Sequence, residues 1–171
     1  MESDIQLRVY GDASLPTLIY LPGLHGDWTI IGSFRKAVEG KVRFVELTYP
    51  RTLVWSLDDY AAVIETALAQ NGITGGWLLG ESFGSQVLWA LVQRGKFPAH
   101  GVILAGGFAR HPMRWLVRLA ERCAGKIPLR LAIMLIFGYA KFARFRYRSS
   151  PETLNDIDEF IKRRTALDKQ A

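Results

Sequence analysis

The stretch Trp77-Leu78-Leu79-Gly80-Glu81-Ser82-Phe83-Gly84-Ser85 sets a serine between an apolar run and an amphipathic segment, with a glycine two residues to either side. In a sharp strand-to-helix turn, the positions two before and two after the serine crowd each other. Only small residues fit there, and the serine itself takes a strained backbone conformation. Its hydroxyl is then presented at the carboxyl edge of a sheet and at a helix N-terminus, where the helix dipole and unpaired N–H groups favour negative charge. The five-residue string alone is a weak signal. Its bland alternative is a glycine-rich turn whose serine merely caps the next helix. The strand before it and the helix after it supply the specificity.

The rest of the chain fits a sheet with helices on its faces. Ile5 to Tyr10 alternates apolar and polar residues, as a half-buried strand does. Thr17 to Leu21 is a short apolar run ending at Pro22-Gly23, and Val42 to Thr48 is a further strand stopping before Pro50. Ser56 and Asp59 form a capping box that opens a helix with one apolar face, Tyr60, Val63, Ile64, Ala67 and Leu68, ending at Gly72. Trp77 to Gly80 is a buried strand, Ser85 to Arg94 a helix ending at Gly95, and Gly101 to Ala105 a strand. Strands alternating with helices predict a mostly parallel sheet. After Gly107 the pattern changes to two helices, Pro112 to Ala124 and Pro128 to Phe145, and Ser150-Pro151 opens a last one.

A second motif, Leu21-Pro22-Gly23-Leu24-His25-Gly26-Asp27, follows the Thr17–Leu21 strand directly. Alone it reads as a Gly/Pro turn. Acyl transfer needs N–H donors aimed at a developing oxyanion, and Phe83 (the residue after the serine) and Leu24 are placed to supply them. In this order and spacing the two motifs resemble the α/β-hydrolase superfamily. The resemblance implies an α/β fold, a core over 1–110, a basic helical cap over 111–148, and a terminal helix and tail over 149–171. It implies a catalytic nucleophile at Ser82, an oxyanion hole at Leu24 and Phe83, an acyl-enzyme intermediate, and hydrolysis of an ester or related acyl substrate without a cofactor. A serine at position 82 disfavours the branches that use aspartate there.

The partners of such a serine are harder to find. In this superfamily an Asp or Glu and then a His follow on later strands. The acids after Ser82 are Glu121, Glu152, Asp156, Asp158, Glu159 and Asp168, all in predicted helices or the tail, and no histidine follows His111. His25 lies in the oxyanion loop as a loop or substrate-contact residue, and Glu81 and His111 are further candidate substrate contacts. His100 precedes a strand and should stand at the opposite edge from Ser82. His111 follows that strand on the correct edge, as a cap-entry residue or a substitute base. A serine without a base is a poor nucleophile, so weak or absent activity is expected of this chain. The expectation is therefore a truncated α/β-hydrolase fold, with on the order of a hundred further residues needed to carry the acid and histidine. The alternative is a non-catalytic fold that binds an acyl ligand, a partner protein or an anionic membrane surface.

Composition narrows the class. With 49% apolar and 22% charged residues the chain reads as an ordinary globular domain. One cysteine, Cys123, excludes intrachain disulfides and Cys-based metal clusters, so no metal site is expected. The N-terminus has neither a signal nor a transit pattern, which makes cytoplasmic the default location. Arg110 to Arg148 carries eight Arg and two Lys against Glu121, while the remainder holds twelve basic and fifteen acidic residues. That segment reads as a solvated cationic face, as a lure for anionic acyl substrates, or as a peripheral membrane contact. No nucleic-acid recognition motif accompanies the charge.

Overall fold

The buried apolar runs of the sequence become the middle of a sheet with five strands among the described residues, in the order β1-β3-β2-β4-β5. The computed structural model describes residues 5–50, 54–108, 138 and 141–168. The strands are β1 (Leu7–Tyr10), β2 (Thr17–Leu21), β3 (Arg43–Leu47), β4 (Gly76–Glu81) and β5 (Ala99–Ala105). β2 runs parallel to both β3 and β4, and β4 parallel to β5, whereas β1 pairs antiparallel with β3. Helices among the described residues include α1 (Gly32–Ala37), α2 (Leu57–Gln70), α3 (Gly84–Arg94) and α4 (Pro151–Asp168).

Period-two alternation divides the interior strands between two faces. Ile19, Leu21, Val45, Leu47 and Leu78 point to one face, where Ile64 and Leu68 of α2 and Val87, Leu88 and Leu91 of α3 cover them in one continuous core. Leu18, Tyr20, Phe44, Glu46 and Leu79 point to the other face and are buried as well. Burial on both faces is why these strands read as continuous apolar runs.

Local signals set the helix ends. Ser56 accepts from the Asp59 N–H while the Asp59 carboxylate accepts from the Ser56 N–H, so the expected capping box of α2 is present. α3 ends at Gly95, left-handed at φ +64°, whose N–H donates to the Leu91 carbonyl at 3.3 Å. α1 has no counterpart in the sequence reading. β5 begins at Ala99, two residues earlier than expected, so His100 lies within the strand. The shift accompanies a register irregularity between Gly76 and Trp77 that lets Gly76 pair with Ala99.

The charge in the middle of β3 is neutralised locally. Glu46, fully buried, accepts from Arg35 at 2.7 and 2.9 Å and from the Tyr10 hydroxyl at 3.2 Å. Arg35 also lies over the Tyr10 ring, 4.6 Å from its centroid.

The chain divides into two units, 1–28 with 34–110, and 29–33 with 111–171. In the second, Asp156 accepts from both the backbone N–H and the hydroxyl of Ser33, and Arg144 pairs with Asp158 at 2.7 Å. Pro151 opens α4 as expected, and the Ser150 hydroxyl hydrogen-bonds that of Thr153. Most of the expected cap, including His111 and the Arg110–Arg122 stripe, lies outside the described residues.

Candidate active site

β4 runs straight into α3 through Ser82, which sits exposed at φ +47° and is the one non-glycine residue with a positive φ among those described. For an L-residue that conformation costs roughly 1–2 kcal/mol. The surroundings hold it in place. The Ser82 N–H donates to the Ala105 carbonyl at the end of β5 (3.1 Å), and the Ser82 carbonyl accepts from the Ser85 N–H (3.0 Å) and hydroxyl (2.6 Å). Ser85, fully buried, also accepts from the Phe108 N–H at 3.2 Å, and Gln86 donates to the Phe108 carbonyl at 2.7 Å. The chain leaving β5 is thereby stitched to the serine turn. In the sequence Ser85 and Gln86 carry no motif signal beyond the start of a helix.

Both flanking glycines are required by contact. A β-carbon on Gly80 would stand 2.9 Å from the Ser85 Cα and 3.0 Å from its nitrogen. On Gly84 it would stand 2.1 Å from the Leu21 carbonyl oxygen. The second contact also locates the loop after β2, which lies directly against the start of α3.

That loop is a tight turn. Gly26, at φ +76°, donates to the Gly23 carbonyl at 2.9 Å, and its own carbonyl accepts from the Tyr49 N–H at 2.8 Å. Leu24 is at its exposed tip. Neither the Leu24 N–H nor the Phe83 N–H has an acceptor among the described residues. The Phe83 ring packs edge-on to Tyr49 and Tyr60, which fixes the turn beside the serine.

Glu81 and His25 meet at Tyr20. The Tyr20 hydroxyl donates to the Glu81 carboxylate and lies 3.4 Å from His25 Nε2. Burial first, then the Glu81 charge, push the Tyr20 phenol far above its ordinary pKa. The Tyr49 phenol is raised chiefly by burial, and its buried hydroxyl has no hydrogen-bond partner among the described residues. His100 is exposed near the start of β5, at the opposite end of the sheet from Ser82. Among the described residues no three His, Cys, Asp or Glu side chains converge as a metal site would need, and no helix is long and apolar enough to cross a membrane.

No family model and no curated protein sequence matches the chain. Solved structures do. Cfl2 from Burkholderia cenocepacia superposes with a TM-score of 0.64 at 17% identity, covering 92% of this chain and 61% of that one. A structure from work on carboxylesterases of the thaumarchaeon Nitrososphaera gargenis gives 0.59 at 13% identity, over 69% and 47%. An α/β hydrolase from Novosphingobium aromaticivorans gives 0.51 at 22% identity, over 58% and 39%. The chain thus spans less than two thirds of the length of each.

Proposed function

The chain has the α/β-hydrolase fold, and from that premise we propose that it carries the nucleophile and oxyanion hole of a serine hydrolase acting on carboxylic esters or related small acyl substrates. The observation that carries this reading is the exposed, left-handed Ser82 at φ +47°, together with the Leu24 and Phe83 N–H groups, which have no acceptor among the described residues.

In the proposed reaction Ser82 Oγ attacks the acyl carbonyl as its proton passes to a base. The carbonyl oxygen becomes an oxyanion that accepts from the Leu24 and Phe83 N–H groups. Collapse expels the leaving group, which takes up that proton to depart as the alcohol, and leaves an acyl-serine that water hydrolyses to the free acid and Ser82. Among the described residues after Ser82 the one histidine is His100, which is too remote to take the proton. Serine hydrolases that lose a triad member retain roughly 10³–10⁴-fold catalysis over water, from the oxyanion hole and binding alone. Activity of that low order is the expectation wherever Ser82 acts without a base.

The test is hydrolysis of short p-nitrophenyl esters by the native polypeptide and its Ser82→Ala variant. Loss of turnover in the variant supports the reading. An unchanged rate overturns it.

A further inference from the structure

In the register of β2 against β4, Tyr20 is the partner of Leu79. Glu81, two residues beyond Leu79, therefore projects from the same face of the sheet as Tyr20, within diagonal reach across the two strands. The Tyr20 hydroxyl uses that proximity to donate to the Glu81 carboxylate. It also lies 3.4 Å from His25 Nε2. The His25 ring folds back over its own loop, so that a β-carbon on Gly23 would stand 3.2 Å from His25 Nδ1 and 3.5 Å from the Glu81 carbonyl oxygen. Tyr20 is buried at the floor of this arrangement and is anchored independently by stacking on Phe44.

We infer that Glu81, through Tyr20 and His25, is a positioning residue that fixes the Gly23–Gly26 turn, and with it the Leu24 N–H, against the serine. The assignment rests on the proposed hydrolase reading and deepens it. Through this contact the residue just before the nucleophile acts on the oxyanion donor across the sheet. Two of the three side chains lie in the motifs themselves, so the turn bearing Ser82 and the turn bearing Leu24 are locked as one unit. A backbone donor is useful only when preorganised, and loss of one such donor lowers turnover by about 10²–10³-fold.

Glu81→Gln keeps an oxygen that accepts from Tyr20, whereas Glu81→Ala and Tyr20→Phe break the link. In the full chain, Glu81→Ala and Tyr20→Phe are expected to move the His25 imidazole NMR signals and to speed Gly26 amide exchange about tenfold. Glu81→Gln is expected to leave both near wild type, with similar denaturation midpoints confirming intact folds. In turnover of a p-nitrophenyl ester, the two link-breaking variants lower kcat at least tenfold with KM unchanged, and Glu81→Gln restores it. Unchanged His25 signals and Gly26 exchange in both link-breaking variants overturn the clamp, whatever the activity. Displaced loop signals without any Ser82-dependent turnover in the wild type would leave the clamp standing and sink the hydrolase reading instead.

Discussion

Gly84 lies so close to the end of β2 that a β-carbon on it would stand 2.1 Å from the carbonyl oxygen of Leu21. Both partners in that contact are backbone, so neither can rotate away. Gly84→Ala is expected to cost about 3 kcal/mol or more, the upper end of overpacking. Gly95→Ala meets open space and carries only the left-handed penalty, roughly 1–2 kcal/mol. Chemical denaturation of the two variants checks the ranking, and equal midpoints would contradict it.

Ser82 at φ +47° makes a prediction of the opposite sign. Glycine adopts this conformation without the steric penalty, so Ser82→Gly is expected to be about 1 kcal/mol more stable than Ser82→Ala. A thermal melt of the pair reads it directly. That difference reads the backbone strain held at position 82.

Much of the fold around Ser82 was legible in the sequence because its determinants are local. The Gly80 and Gly84 spacing, the apolar Thr17–Leu21 run before Pro22-Gly23 and the Ser56/Asp59 box each act within a few residues. What was not legible depends on partners distant in the chain. α1 opens where Asp156, 123 residues away, accepts from the Ser33 N–H and hydroxyl. The alternation of Ile5 to Tyr10 announces a strand but not its direction, and β1 turned out antiparallel to β3. Glu81 and His25 stand in separate motifs, and only the pairing of β2 with β4 brings them together through Tyr20.

Glu46 is a fully buried charge of β3, and its removal tests whether the Arg35 pairing is needed. Glu46→Gln is expected to destabilise by about 2 kcal/mol, within the range for charged hydrogen bonds. The cost should fall short of that for a fully buried pair, because the Arg35 side chain is 31% exposed and can rehydrate. Urea denaturation measures it. A neutral result would mean that the pair is offset by its desolvation.

Tyr20 gives a pH dependence with a definite sign. Its folded-state pKa is raised, by burial and then by Glu81, so the fold favours the neutral phenol. The resulting stability is present in full below the ordinary tyrosine value of about 10, and it falls away as pH rises from there towards the folded-state value. An ultraviolet alkaline titration is expected to show Tyr20 ionising only as the protein unfolds, and Tyr20→Phe should remove amplitude from that late phase. Ionisation of Tyr20 in a folded protein near pH 10 would contradict the burial argument.

The central claim is that Ser82 is a nucleophile beside a preformed oxyanion hole. The direct measurement is reaction of the native polypeptide with a fluorophosphonate, followed by intact mass and peptide mapping. The account predicts a single adduct on Ser82 that is absent from Ser82→Ala. No adduct, or one carried on a different residue, would contradict it.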